Sequence, residues 1–330
     1  SGLRVSPICM GTMTFGLRNS KKESFEIMDY AYQNGINFFD TAELYPVPPR
    51  GDLAGITEEI VGEWLATKPR DSIILATKVA GAANGWFVPP IRHGLTAIDR
   101  FHIERAIDGS LNRLRTDYID LYQIHWPDTV VPLEESLEAM DRLVRCGKVR
   151  YIGTSNDTAY GLTKANEIAR YRGFKRFESI QNNFSLLNRR FLDSIAEVCK
   201  KEQISLLPYS PIGGGVLSGK YQNNFIPANS RFAEYFNGEE RQSKMAKRFI
   251  NDATLESTAK YIEIAKSIGI SSVQLSVAWS KQFDFVASTI IGATSVEQLK
   301  ESLKALYLVL DDETLKRCDE VHQKIQYPMG

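Results

Sequence analysis

Tyr118-Ile-Asp-Leu-Tyr-Gln-Ile-His125 is apolar nearly throughout and rich in β-branched and aromatic residues. Such a run suits a parallel strand buried on both faces. Before it, Ile103, Ala106, Ile107, Leu111 and Leu114 recur at helical spacing, and after it Leu133, Leu137, Met140 and Val144 do the same. A helix, a buried strand and a second helix follow one another in this single stretch.

The alternation extends in both directions. Strands are predicted at roughly 5–13, 36–41, 72–79, 118–125, 149–154, 178–184, 204–209 and 286–291. Gly35 and Gly147 stand just before strands, where helix C-caps belong, and Ser295 with Gln298 has capping-box spacing. Eight strand-helix units admit a closed barrel or an open doubly wound sheet. The dinucleotide fingerprint G-x-G-x-x-G is absent: Gly11 to Gly16 has the wrong spacing, and Gly213, Gly214, Gly215 and Gly219 come late. The count of eight and the polar residues ending nearly every strand favour a (β/α)₈ TIM barrel, with residues 1–330 as one domain. Two connections, about 80–100 and about 212–253, are long and leave the C-terminal ends of strands three and seven, where barrels build active sites.

Composition narrows the partners. Of the 330 residues, 43% are hydrophobic and 24% charged, with 40 basic residues balanced by 40 acidic ones. That balance speaks against nucleic acid and anionic membrane. No apolar stretch is long enough to span a bilayer, and Ser1-Gly-Leu-Arg-Val has no apolar signal-peptide core. A cytoplasmic enzyme is expected; the missing Met suggests that the natural chain starts earlier. Cys9, Cys146, Cys199 and Cys318 form no C-x-x-C pair, so reduced, buried thiols are expected rather than disulfides or structural zinc.

The strand ends carry the chemistry. Strand two ends in Asp40, followed closely by Tyr45; strand three ends in Lys78 and strand four in His125. In a barrel these ends share one mouth. Each residue has a plainer reading: Asp40 as a cap, Tyr45 as an exposed turn aromatic, His125 as a core histidine. Lysine, by contrast, is almost never buried unless paired. Together they suggest an ion pair beside a phenol, with the ammonium lowering a pKa normally near ~10. A phenol so tuned is a competent general acid for a carbonyl oxygen, to which His125 would donate.

On these residues the chain resembles the aldo-keto reductase superfamily. The resemblance runs from Gly11-Thr-Met-Thr-Phe-Gly16 through Asp40-Thr-Ala-Glu-Leu-Tyr45, Ala76-Thr-Lys78, the Leu111–Trp126 run and Gly147-Lys-Val-Arg-Tyr-Ile-Gly-Thr-Ser-Asn156, to Glu301. The run Tyr45-Pro-Val-Pro-Pro-Arg50 looks most like the bacterial Tas-like branch, with potassium-channel β subunits in the wider neighbourhood. The resemblance implies a reductase in which Tyr45 donates the proton, Lys78 and Asp40 tune it, and His125 orients the carbonyl. It implies NADPH, with NADH not excluded, held near the nicotinamide by Gly11, Thr12 and Met13. Asp40 would also meet the cofactor, Ser155, Asn156 and Gln181 would hold the carboxamide, and Tyr209 would stack on the ring. Ser210, Pro211, Ile212, Gly213, Gly214 and Lys220 would cradle the pyrophosphate; Arg231 matches a family arginine across a one-residue length difference. Gly292, Thr294, Gln298 and Glu301 would face the adenosine, although Gln298 also fits a capping role. Gly292 and Gln298 stand where many relatives carry Lys and Arg for the 2′-phosphate, and Ser302 replaces a common asparagine. Trp86, Trp126 and residues 46–49 would wall a small carbonyl substrate.

Two other function classes are open on the sequence. Lys78 at a barrel strand end suits a Schiff-base aldolase, which leaves the glycine-rich segment unexplained. A regulatory subunit carrying NADPH as a redox sensor is the other. No metal is expected: of four histidines only His125 ends a strand, while His93, His102 and His322 lie elsewhere.

Overall fold

A computed structural model describes residues 1–83 and 88–329. Trp86, expected to wall the substrate, lies outside the described residues. Among the described residues eight strands alternate with helices: β1 (Ile8–Gly11), α1 (Lys21–Gln33), β2 (Phe38–Asp40), α2 (Ile56–Leu65), β3 (Ile74–Val79), α3 (Arg100–Leu114), β4 (Ile119–Ile124), α4 (Leu133–Arg145), β5 (Val149–Ser155), α5 (Ala159–Arg172), β6 (Phe177–Gln181), α6 (Ile195–Glu202) and β7 (Ser205–Leu206). Four helices follow before the last strand: α7 (Arg231–Phe236), α8 (Glu240–Phe249), α9 (Asp252–Ser267) and α10 (Ser272–Lys281). Then come β8 (Thr289–Ile291), α11 (Val296–Leu303) and α12 (Asp312–Lys324).

All the strands are parallel and pair in the order β7-β6-β5-β4-β3-β2-β1-β8. The curl closes between β7 and β8 by isolated bridges, Leu206 to Val286 and Tyr209 to Ile290. β7 is shorter than the sequence suggests. Pro208 has no N–H to donate, so the ladder breaks there, although its carbonyl still accepts from Ile290 at 2.8 Å. Pro7 likewise delays β1, and Asn37 fastens the segment before it by bonds to Ser6 and Arg4.

Two cores follow from burial on both strand faces. Between strands and helices lies the large one, which includes Ile103, Ile107, Leu137, Met140 and Trp279. Inside the barrel a small cluster of Cys9, Phe38, Ala76, Leu121, Leu207 and Ile290 fills the floor beneath the mouth. Register then sets the rim. Gly11 pairs with Asp40, Asp40 with Ala76, Lys78 with Gln123 and Ser155 with Gln181. Side chains projecting inward at these levels must meet one another.

Gly35 and Gly147 have φ of 83° and 82°, the left-handed C-terminal residues expected before β2 and β5. The long 212–253 connection carries α7 and α8. Two expectations need correction. Ser295 caps α11, yet Gln298 Oε1 accepts from Thr294 N–H at 3.0 Å and not from the cap residue, so the box is not reciprocal. Cys9, Cys199 and Cys318 are buried, but Cys146, at the end of α4, is exposed.

Among the described residues no helix is long and apolar enough to cross a membrane, and no cluster of acidic, histidine and cysteine side chains is arranged to hold a metal.

Candidate active site

Lys78 is the pivot. At the end of β3 it is 0% exposed, and its ammonium donates to Asp40 Oδ2 at 2.6 Å and to the Thr41 carbonyl at 2.8 Å. A third contact, at 3.5 Å, reaches Tyr45 Oη. Burial works against the charged amine, but pairing with Asp40 outweighs it, and Lys78 stands above the ordinary lysine range. The remaining oxygen of Asp40 accepts from two amides, Gln181 Nε2 at 2.9 Å and Gln123 Nε2 at 3.3 Å. A buried carboxylate is thus paired and fully surrounded by donors, the condition under which burial is tolerable.

Tyr45 corrects the expectation of a lowered phenol. Burial pushes its pKa above the ordinary value, and Lys78 only partly offsets that. The phenol is therefore held protonated, as a proton donor must be. His125 lies edge-on to it, ring centroids 5.7 Å apart, and burial with the charge of Lys78 holds the imidazole well below its usual value. A neutral imidazole donates from one nitrogen only. Its Nδ1 is buried without a hydrogen-bond partner.

Asp40, Tyr45 and His125 line a cavity of about 500 Å³, with Lys78 buried behind them, inside the usual range for small-molecule sites. Gly11, Thr12, Met13, Ser155, Asn156 and Gln181 line it, as do Tyr209, Ser210, Pro211, Ile212, Gly214, Lys220, Arg231, Gly292, Thr294, Gln298 and Trp126. Two expected residues are elsewhere. Gly213 is buried behind the wall. Glu301 accepts from Ser271 and Gln274 and pairs with Lys304, away from the cavity.

A chain of polar contacts runs along one wall. Tyr209 Oη donates to Asn156 Oδ1 at 2.7 Å, Asn156 Nδ2 donates to the His125 carbonyl at 2.9 Å, and Ser155 Oγ donates to the Gln181 carbonyl at 2.7 Å. Half-buried Tyr209 offers a flat face flanked by amide and hydroxyl groups, a setting suited to a planar ring bearing a carboxamide. Beyond it the chain turns through Gly214 and Gly215, with φ of 63° and 98°, a left-handed path that side chains resist.

Three cations gather beside that turn. Arg18 pairs with Glu234 at 2.8 Å, while Lys220 and Arg231 have no carboxylate partner among the described residues. Burial and the like charges of Arg18 and Arg231 hold Lys220 below the ordinary lysine range. Like charges placed together are costly without an anion between them, so the cluster fits a phosphate-bearing ligand.

Some of this escaped the sequence reading. Gln123 sits two residues before His125, and the period of two along β4 puts both on the inward face. Arg18 precedes α1, and α8 adds Arg241, Met245 and Arg248 to the cavity; no local pattern marks these. Glu43 is held by Arg92, with contacts of 2.6 and 2.9 Å, which ties the connection after β3 to the end of β2.

Comparison with known proteins gives the family. The profile of the Aldo/keto reductase family matches residues 7–323. The chain is 39% identical to protein tas of Escherichia coli (strain K12) over 348 residues, 99% of this chain and 97% of that protein. It is 35% identical to the uncharacterized oxidoreductase YrpG of Bacillus subtilis (strain 168), covering 97% and 93%. It is also 33% identical to a probable voltage-gated potassium channel subunit beta of Oryza sativa subsp. japonica, covering 98% and 94%.

Proposed function

The chain belongs to the aldo/keto reductase family, and on that premise we propose that it reduces aldehydes or ketones to alcohols with NADPH, Tyr45 supplying the proton. The observation that carries this reading is the buried Lys78 ammonium, 2.6 Å from Asp40 and 3.5 Å from the Tyr45 phenol. An acid beside a fixed cation can release its proton as charge develops on a carbonyl oxygen, because the resulting phenolate is compensated where it forms. His125, neutral, donates to the same oxygen and orients it. A reduced nicotinamide held in the cavity would supply the hydride. Asn156, Ser155 and Gln181 are assigned to its carboxamide, Tyr209 to its ring, and Lys220 with Arg231 to its phosphates.

The cation cluster of Arg18, Lys220 and Arg231 supports a bound anionic ligand. Preference for NADPH over NADH rests on Lys220 and Arg231, since Gly292 and Gln298 bring no charge. A Schiff-base role for Lys78 requires the neutral amine, which pairing with Asp40 disfavours. Likeness to a channel β subunit suggests a sensing role as the second reading, with the same cofactor and slower turnover.

The test is a panel of aldehydes, ketones and quinones with each cofactor, following loss of absorbance at the nicotinamide band. Turnover with NADPH exceeding that with NADH supports the proposal. Cofactor binding without turnover across the panel would support the sensing role instead.

A further inference from the structure

Just past Lys78, strand β3 gives way to a connection whose first residues are each held from outside. Ala80 N–H donates to Glu43 Oε1 at 2.7 Å, and the Gly81 carbonyl accepts from Thr96 Oγ1 at 2.6 Å. The Ala82 carbonyl accepts from Trp126 Nε1 at 3.0 Å. Glu43, 4% exposed, takes both arms of the Arg92 guanidinium, at 2.6 and 2.9 Å, and one arm also reaches the Ala80 carbonyl at 3.3 Å. The pair thus grips Ala80 by its N–H through Glu43 and by its carbonyl through Arg92.

Such a pair is a poor source of stability, because desolvation offsets most of the attraction. What a two-pronged guanidinium–carboxylate contact supplies is orientation. The group oriented lies one peptide further on. Gly81 passes flat against Trp126: a Cβ there would stand 2.9 Å from the indole Nε1 and 3.0 Å from the Trp126 carbonyl. Trp126 lines the cavity, its ring centre 4.9 Å from that of His125. On its other side Glu43 continues the strand pairing, its N–H donating to the Lys78 carbonyl at 3.3 Å. One carboxylate therefore joins the strand end that carries Lys78 to the peptide that seats the indole.

We propose that Glu43 and Arg92 are positioning residues of the substrate site: their ion pair fixes residues 80–82, and through them holds the Trp126 indole as the wall against which a carbonyl compound lies beside His125. This rests on the proposed reductase activity for what lies against that wall. The residues assigned to the cofactor sit on other strands, so the pair governs substrate fit and leaves cofactor binding alone.

The experiment is fluorine NMR of fluorotryptophan-labelled protein with NADPH, in wild type, Arg92→Gln, Arg92→Lys and the neutral pair Glu43→Gln with Arg92→Gln. The Trp126 line, assigned by its loss in Trp126→Leu, should shift or broaden in Arg92→Gln and in the neutral pair, and return part of the way in Arg92→Lys. The lines of Trp64 and Trp279, each 1% exposed in the large core, should stay in place and mark an intact fold. KM for benzaldehyde should rise about tenfold in Arg92→Gln, with kcat falling less than about threefold and the NADPH Kd unchanged. In a Trp126→Leu background the same substitution should cost less than about twofold in kcat/KM. An unmoved Trp126 line in the neutral pair, which strands no buried charge, would overturn the proposal, as would a full tenfold cost of Arg92→Gln in the Trp126→Leu background. Benzaldehyde left unreduced by wild type would count against the reductase reading, and the fluorine lines would still decide the positioning.

Discussion

Replacing Lys78 with Met removes the cation and leaves most of the surrounding volume filled. The ammonium lies 3.5 Å from Tyr45 Oη. With an effective dielectric of about 20, a full charge on that oxygen would lose about 5 kcal/mol of attraction. If half to most of that is felt in the transition state, kcat for carbonyl reduction falls about 10²- to 10³-fold. The same change strands Asp40, whose side chain is 3% exposed, with only the amides of Gln123 and Gln181 as donors. Breaking a buried pair this way costs about 3–5 kcal/mol of stability. Adding Asp40→Asn removes the stranded charge, so the double variant should regain much of the stability and none of the activity. Urea unfolding and single-turnover reduction give the two readouts. Single-variant activity within about threefold of wild type, or a double variant no more stable than Lys78→Met, would refute the reasoning.

The remaining expectations concern protonation and the cofactor. Tyr45 stands above its ordinary pKa and His125 well below its own, so reduction should be flat from pH 6.5 to 8 and decline only as pH rises towards the phenol pKa, with alcohol oxidation rising in that limb. A decline in reduction between pH 6.5 and 8 would place a titrating group that these directions do not allow. Arg231→Ala should cut the ratio of NADPH to NADH efficiency about tenfold or more; an unchanged ratio would remove Arg231 from the 2′-phosphate.

The barrel was legible because parallel strands buried on both faces announce themselves as short apolar runs, as Tyr118 to His125 does. Their polar ends, Asp40, Lys78 and His125, carry a local signal too, since a charged residue closing an apolar strand is conspicuous. What the sequence concealed was long-range. That Asp40 would be shared by Gln123 and Gln181 depends on register across strands far apart in the chain. The contribution of α8 depends on how a connection between β7 and β8 folds back over the mouth. The direction of the Tyr45 shift was not legible because the depth of burial that raises it is set by the fold. Glu301 resembles a family residue by position in the chain, while in the fold it faces Ser271 and Lys304.

The most direct measurement is single-turnover reduction by Tyr45→Phe, with NADPH affinity determined by fluorescence on the same protein. Tyr45 acting as the acid requires a loss of at least about 10²-fold in the chemical step, with the NADPH Kd within about threefold of wild type. Reduction continuing at a rate near that of wild type would contradict it, because among the described residues the Lys78 ammonium contacts only Asp40, the Thr41 carbonyl and Tyr45.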